Sequence, residues 1–145
     1  MAHNVEFLIV GAHALAFHAI PRQTMDLDLW VRKTHENVKH LQAALNEFGF
    51  PITDDMATAF LGERKFFKLG VEPNRVDILN FLDGTDFDSA WPRRLPGKLQ
   101  DVDTNFLSLK DYVMTKIASG RPKDLLDLAL LREQLGSPLP GEQSS

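Results

Sequence analysis

The chain has no cysteine among its 145 residues, which excludes disulfide bonds and thiolate chemistry. It also lacks an excess of basic residues. Its formal net charge of −4 argues against a protein that coats nucleic acid constitutively, although a local basic groove remains compatible. No signal-peptide pattern is visible, and the longest apolar run is far too short to cross a membrane. We therefore expect a cytoplasmic protein with no membrane association.

What the chain does contain is the composition of an ordinary globular domain. Apolar residues make up 43% of the sequence and charged residues 25%, and no internal repeat is visible. A chain of this length can bury the core of one domain but not of two. We assign residues 1–136 to a single domain, and residues 137–145, which are rich in proline, glycine and serine, to a disordered tail.

The stretch from residue 5 to residue 31 organises the rest of the chain. Residues 5–10 form an almost continuous apolar run, which predicts a strand covered on both faces. Gly11 permits a tight turn, and residues 12–19 are rich in helix-forming residues, which predicts a short buried helix. Residues 25–31 then predict a second strand.

Two aspartates stand on this second strand. Because side chains alternate between the faces of a strand, Asp26 and Asp28 point the same way, while Leu27 and Leu29 point toward a core. Two ionised carboxylates on one face repel each other unless a cation lies between them, and oxygen ligands at this spacing suit Mg²⁺ or Mn²⁺. Taken alone, Asp-x-Asp is a weak signal, because an exposed strand of alternating aspartate and leucine has the same pattern.

A third aspartate favours the metal interpretation. Asp77 lies within residues 75–81, which predict a strand that forms an antiparallel hairpin with residues 65–69. An aspartate on such an apolar strand is costly to bury without a partner. The alternative partner to a metal is Arg75 or Lys68, either of which could form a salt bridge with Asp77.

Together these residues outline a two-metal site for phosphoryl transfer, in which the cations clamp the attacking and leaving oxygens. In this interpretation Asp26 bridges both metals, and Asp28 completes the metal that holds the nucleotide phosphates. Asp77 orients the acceptor hydroxyl, as a metal ligand or as a base. The backbone amides of Gly11 and Ala12, which open a helix, are suited to hold the terminal phosphates.

Elsewhere in the chain, capping residues and helical periodicity predict three further helices, over residues 34–48, 109–119 and 122–135. Residues 51–59 and 82–98 contain turn-forming residues and predict irregular connections. The last two helices follow each other directly and would pack together.

The motifs resemble those of the minimal nucleotidyltransferase superfamily, which shares a polymerase-β-like core. The matching segments are Gly11-Ala12, Asp26-Leu27-Asp28-Leu29 and Val76-Asp77-Ile78. The closer resemblance, over residues 5–135, is to small bacterial nucleotidyltransferase-like proteins of the abortive-infection and toxin–antitoxin type. Those proteins share two further patterns with this chain, matched by Pro21-Arg22-Gln23-Thr24 before the aspartates and by Lys116, Arg121, Lys123, Asp124 and Asp127.

The resemblance implies an α/β (α+β) fold, in which helices flank a mixed β-sheet and further helices lie at the C-terminus. It implies an enzyme that uses Mg²⁺ or Mn²⁺ to move NMP from an NTP to a hydroxyl acceptor, either tRNA or a partner protein. A cognate toxin or antitoxin and a second copy of the chain are the expected partners. The implied catalytic and metal-binding residues are Asp26, Asp28 and Asp77. The implied nucleotide-binding residues are Gly11, Ala12, Arg22, Thr24, Lys116, Arg121 and Lys123.

The chain departs from the superfamily at the phosphate turn, which is usually Gly-Ser or Gly-Gly and here is Gly11-Ala12. The missing hydroxyl removes one phosphate contact. The alternative function is therefore a catalytically degenerate module of the same fold that binds a nucleotide or a partner.

The basic residues allow two interpretations as well. Arg22 could meet a phosphate or pair with an acid. Lys116 and its basic neighbours in the C-terminal helices could converge on the triphosphate, or they could form a surface cluster paired with Asp124 and Asp127.

Overall fold

A computed structural model describes residues 4–18, 26–62, 64–70, 75–99 and 101–142. Its six strands form one mixed sheet in the order β3-β4-β2-β1-β6-β5. The strands are β1 (Phe7–Val10), β2 (Leu27–Val31), β3 (Phe66–Leu69), β4 (Val76–Leu79), β5 (Leu95–Leu99) and β6 (Val102–Phe106). The helices in the described ranges are α1 (Gly11–His18), α2 (His35–Glu47), α3 (Asp54–Gly62), α4 (Phe87–Ala90), α5 (Leu109–Ser119) and α6 (Pro122–Leu135), with a 3₁₀ turn at Trp91–Arg93. The predicted mixed sheet with C-terminal helices is confirmed.

The two strands at the centre of the sheet are the two that the sequence places in the organising stretch. β1 runs antiparallel to β2 and parallel to β6, while β2 runs parallel to β4. The predicted hairpin of β3 and β4 is also present, with antiparallel pairing. A continuous apolar strand is therefore covered on both sides by its neighbours and on both faces by helices.

Helices cover both faces of the sheet because the side chains of its central strands β1, β2 and β4 contribute to separate buried clusters. Leu8 and Trp30 belong to a buried cluster with residues of α1, α5 and α6. Val31 and Ile78 belong to a second cluster with residues of α2 and α3. Each of the four side chains is at most 2% exposed, so both layers are anchored on the middle of the sheet.

The predicted helix caps are present. Thr34 accepts a hydrogen bond from the backbone N–H of Asn37 at the start of α2, and Ser108 accepts one from the N–H of Asp111 at the start of α5. Gly120 ends α5 in the left-handed conformation, with φ of 62°. Pro122 then begins α6, as expected for a residue whose missing N–H is not needed in a first turn.

Five elements lie where the sequence predicts irregular structure or none, namely α3, α4, the 3₁₀ turn at Trp91–Arg93, β5 and β6. Residues 54–62 form α3, whose first turn is capped by Thr53, a hydroxyl acceptor for the N–H of Met56. β5 and β6 form an antiparallel hairpin at the sheet edge. β5 contains Pro96 and Gly97, which disfavour a strand and are tolerated at an edge. Gly97 has a packing reason as well, since the ring of Phe17 lies directly against it.

Residues 137–142 lie against the C-terminal helices, although the sequence predicts a disordered tail from residue 137. Leu139 is 1% exposed and belongs to the same core as α5 and α6. The guanidinium of Arg132 donates to Glu142 at 2.6 Å, which fixes this segment next to the end of α6. In the parts of the chain that the structure describes, no helix is long and apolar enough to span a membrane.

Candidate active site

A cavity of about 370 Å³ opens at one end of the central strands. β1 ends there, and β2 and β4 both begin there, because β2 runs antiparallel to β1 and parallel to β4. The second half of α5 and the first half of α6 form the opposite wall. The cavity is therefore bounded on one side by strand ends and on the other by the two C-terminal helices.

The three aspartates implied as catalytic all line this cavity. In the strand register, Asp28 lies directly opposite Asp77, and Val10 lies opposite Asp28. Asp26 precedes Asp28 by two residues and so emerges on the same face. The geometry therefore brings together carboxylates that are about fifty residues apart in the chain.

Burial and, after it, the neighbouring negative charges perturb the pKa of the central carboxyl group, that of Asp28. Burial raises the pKa of Asp28 above its ordinary value, and the charges of Asp77 and Asp26 raise it as well, while Arg75 and His13 act in the opposite direction. An ionised Asp28 is therefore held at a cost in the folded protein. A cation bound close to it would offset that cost.

Gly11 makes the close approach of Asp28 possible. Its φ is +68°, and a Cβ atom built at this position would collide with the carboxylate of Asp28. Any other residue would meet both the strain of the left-handed conformation and that collision. α1 begins at Gly11 immediately after β1, so the amides of Gly11 and Ala12 stand at the mouth of the cavity, where both residues line the wall.

Arg75 contacts two of the three aspartates. Its Nε lies 3.0 Å from Oδ1 of Asp77, and a terminal guanidinium nitrogen lies 3.9 Å from Oδ2 of Asp26. Its backbone N–H also donates to Oδ1 of Asp26 at 3.3 Å. The salt bridge considered as the alternative partner of Asp77 is thus present, and it lies within the same cavity as the aspartates.

The residues fit a divalent cation in their donor chemistry, but they do not form a ready-made cage. Carboxylate oxygens on one face are the ligands that Mg²⁺ and Mn²⁺ prefer. Over the described ranges, no group of three or more histidine, cysteine, aspartate or glutamate side chains is arranged to hold a metal ion. Arg75 supplies the positive charge between Asp26 and Asp77 in this arrangement.

The helical wall carries the basic residues that the resemblance implies for nucleotide binding, and Lys116, Arg121 and Lys123 all line the cavity. Nζ of Lys116 lies 3.0 Å from Asp124 and 3.2 Å from Asp127. Nε of Arg121 lies 2.8 Å from Asp124. The basic cluster is therefore paired with acids and also lines the cavity, and its role in binding a triphosphate stays a prediction.

Lys123 differs from the other two basic residues. Within the part of the chain that the structure describes, it makes no ion pair, and its residue is exposed at the first turn of α6. A phosphate group in the cavity would meet an uncompensated ammonium at this position.

Asp124 is fully buried, and its charge is held by its basic partners. Burial by itself would raise the pKa of Asp124, but hydrogen bonds from Arg121 and Lys116 outweigh burial and lower the pKa below its ordinary value of 3.8. The carboxylate also accepts from the backbone N–H of Arg121, which closes the first turn of α6. Asp124 therefore fixes the start of the helix and the direction of Lys116.

Two implied nucleotide-binding residues, Arg22 and Thr24, lie outside the described residues. Other cavity residues were missed by the sequence analysis. Thr115 and Ser119 contribute two hydroxyl groups to the cavity wall, and Tyr112, which precedes them on α5, lines it as well. Their spacing of three and four residues places them on one helical face with Lys116, and that spacing could have identified them.

A mixed sheet with three aspartates at one end of its central strands, opposite basic residues of two C-terminal helices, is the arrangement that the resemblance to nucleotidyltransferases implies. A family model matches residues 1–134, and the family is described as a nucleotidyltransferase of unknown function (DUF6036). The chain belongs to this family. No curated protein matches the chain. Nucleotidyltransferase families generally imply an NTP substrate and a divalent metal, whereas the toxin–antitoxin assignment stays a prediction.

The first prediction concerns the contact between Gly11 and Asp28. Replacing Gly11 with alanine should lower the free energy of unfolding by about 3 kcal/mol, because backbone strain adds to a steric collision. Gly49 provides a matched control, since its φ is +84° but no atom lies within 4 Å of a built Cβ. Gly49→Ala should cost only about 1 kcal/mol. Urea unfolding followed by circular dichroism measures both, and equal losses would contradict the close approach.

The second prediction concerns the acid dependence of Asp124. Its lowered pKa means that the ionised carboxylate stabilises the fold above the unfolded-state pKa, and that this contribution is lost as the pH falls through the lower folded-state pKa. Asp124→Asn should cost about 2 kcal/mol at about pH 7. The gap to wild type should begin to shrink near about pH 3.8, where Asp124 of the unfolded chain becomes protonated, and should close as the pH falls through the lower folded-state pKa.

The control for this prediction is Asp103→Asn, because the side chain of Asp103 is 88% exposed. That substitution should change the unfolding free energy by less than about 0.5 kcal/mol at every pH. Urea titrations at a series of pH values measure the gaps. A gap between wild type and Asp124→Asn that stayed constant into strong acid would show that the ion pairs do not carry the stabilisation.

Proposed function

We propose that this protein is a metal-dependent nucleotidyltransferase that moves NMP from an NTP to a hydroxyl acceptor. The proposal rests on one observation. Asp26, Asp28 and Asp77 line a single cavity, and the turn residues Gly11 and Ala12 line the same cavity. Asp28 and Asp77 come from two parallel strands in register, so the sheet itself sets their spacing, and Asp26 immediately precedes one of these strands. Membership in a nucleotidyltransferase family supports the same class of reaction.

The charges of the cavity support a substrate that arrives together with a cation. Five aspartates line the wall, at positions 26, 28, 77, 124 and 127, and four basic residues line it, at positions 75, 116, 121 and 123. Because the acidic residues outnumber the basic ones, this wall does not attract a triphosphate strongly by itself. A divalent cation bound with the NTP would bring the positive charge that the phosphates and the aspartates both need.

In the proposed reaction, the acceptor hydroxyl oxygen bonds to the α-phosphorus, the bond to the bridging oxygen breaks, and pyrophosphate leaves. The metal, when bound, offsets the phosphate charge and lowers the pKa of the hydroxyl. Asp26 and Asp28 would hold it, and Asp77 would join them or accept the proton of the hydroxyl. The amides of Gly11 and Ala12, with Lys123, would hold the outgoing phosphates.

The acceptor that we propose is a tRNA or a side chain of a partner protein, within a toxin–antitoxin pair. Both offer hydroxyl groups that can reach an open cavity. The proposal places the reaction in the cytoplasm, where NTPs are abundant, and includes Mg²⁺ or Mn²⁺ as the cation. The proposal also includes a homodimer, but it assigns no residue of the described chain to the dimer interface.

A second candidate function is a module of the same fold that binds a nucleotide or a partner without transfer. Two observations favour it. Ala12 lacks a hydroxyl at the phosphate turn, and Arg75 is paired with the carboxylates that would hold the cation. Titration calorimetry with NTP and Mg²⁺ would then detect binding, while transfer assays would show no product.

The third prediction is loss of transfer in aspartate variants. Asp26→Asn, Asp28→Asn and Asp77→Asn should each reduce transfer of labelled NMP at least about a hundredfold, because each removes a negative charge that positions the cation. Protein, Mg²⁺ or Mn²⁺ and each labelled NTP are incubated with tRNA and with candidate partner proteins, and labelled product is quantified. Asp103→Asn, outside the cavity, should keep wild-type transfer.

Two outcomes would reject the catalytic proposal. One is the absence of transfer from any NTP to any acceptor tested. The other is transfer that survives undiminished in Asp28→Asn, since the cation would then be held elsewhere. Binding of an NTP without turnover would support the second candidate function.

A further inference from the structure

Arg75 has a position that neither the family description nor the roles assigned to the aspartates explains. It lies immediately before β4, two residues ahead of Asp77, and lines the same cavity as the three aspartates. Its guanidinium is within 3.0 Å of Asp77 and 3.9 Å of Asp26. A permanent cation therefore occupies the acidic face at the place where charge compensation is needed.

The contact between Arg75 and Asp77 is an ion pair without aligned hydrogen-bond geometry. Nε of Arg75 and Oδ1 of Asp77 are close, but neither atom forms a hydrogen bond that satisfies both distance and angle. Charge attraction thus dominates this contact. An attraction of this kind is exchanged more readily for another cation than a bidentate, fully aligned pair would be.

The backbone of Arg75 is tied to a neighbouring strand, and its side chain lines the cavity. The carbonyl oxygen of Arg75 accepts a hydrogen bond from the N–H of Leu27 at 3.0 Å, which ties the residue to β2. Its side chain is 24% exposed and borders the cavity of about 370 Å³. A side-chain rotation that took the guanidinium off the carboxylates would therefore leave the register of the strands unchanged.

We propose that Arg75 is a built-in counter-ion that competes with the divalent cation for Asp26 and Asp77 and so sets the metal affinity of the site. This inference rests on the proposed function, because it assigns the cation to the same carboxylates. It explains why the donor set suits a hard cation while no metal-ready cluster exists among the described residues. Arg75 is a positioning residue in this role, since it acts on the carboxylates.

The competition follows from charge. While the guanidinium holds Asp26 and Asp77, an incoming cation meets carboxylates that are already compensated, and a positive charge stands close by. Removing that charge leaves the oxygen ligands uncompensated and makes the binding free energy of a divalent cation more favourable. The affinity for a divalent ion should therefore rise when Arg75 is replaced by a neutral side chain.

The experiment is a titration of the full chain with Mn²⁺ alone, with free Mn²⁺ measured by electron paramagnetic resonance. Arg75→Gln should bind Mn²⁺ at least about tenfold more tightly than wild type. Arg64→Gln is the matched control, because it also removes one positive charge, from an exposed arginine paired with Asp83 outside the cavity. Its affinity should equal that of wild type, and Asp28→Asn should weaken binding at least about tenfold.

Arg75→Lys provides a second variant if the glutamine variant does not fold, which circular dichroism would show. Lysine keeps the charge but presents it at one point and cannot contact both carboxylates as a guanidinium does. Its Mn²⁺ affinity should lie above that of wild type and below that of any folded glutamine variant. An affinity at or below that of wild type would overturn the proposal.

The remaining outcomes separate this inference from the proposed function. Equal Mn²⁺ affinities of wild type and Arg75→Gln, together with weaker binding by Asp28→Asn, would overturn the role of Arg75 and leave the metal site standing. An equal gain in Arg64→Gln would also overturn it, because net charge alone would then explain the effect. If no variant binds Mn²⁺, both the role of Arg75 and the metal-dependent function fail.

Discussion

Repulsion among carboxylates at the end of the central strands is the constraint around which this cavity is built. The register of β2 and β4 places Asp28 opposite Asp77, with Asp26 two residues away on the same face. Folding must bring these groups together against their mutual repulsion. Gly11 admits the carboxylate of Asp28 by having no side chain, and Arg75 compensates two of the three charges. The apolar cores on both faces of the sheet supply the free energy that holds this arrangement.

The helical wall also holds carboxylates close together, and there basic side chains of the helices compensate their charge. Asp124 and Asp127 are buried at the start of α6, and Lys116 and Arg121 compensate them. Such buried pairs add little stability relative to an apolar pair, but removing one partner leaves the other charge uncompensated, and the pairs fix the direction of the side chains involved. The result is a cavity whose acids and bases are placed by two independent sets of ion pairs, one on the strands and one on the helices.

Much of the fold could be predicted because its signals are local. The apolar run of β1, the caps of α2 and α5, and the full extent of α6 at residues 122–135 depend on neighbouring residues only. The strands β5 and β6 could not be predicted in this way. β5 contains Pro96 and Gly97 and is stable only because β6 pairs with it and because Phe17 and Phe106, stacked 4.1 Å apart, pack against its glycine. α3 was missed because residues 51–59 contain turn-forming residues, which predict an irregular connection.

The sequence by itself determined that Asp26 and Asp28 share one face, since the alternation of a strand depends on nothing outside it. It also determined where α2 and α5 begin, because their caps involve residues only three positions apart. Only the tertiary structure decided that Asp77 lies opposite Asp28, that Arg75 contacts two of the aspartates, and that Lys116 faces them across a cavity. These relations depend on strand register and on the packing of helices far apart in the chain, which no local pattern encodes.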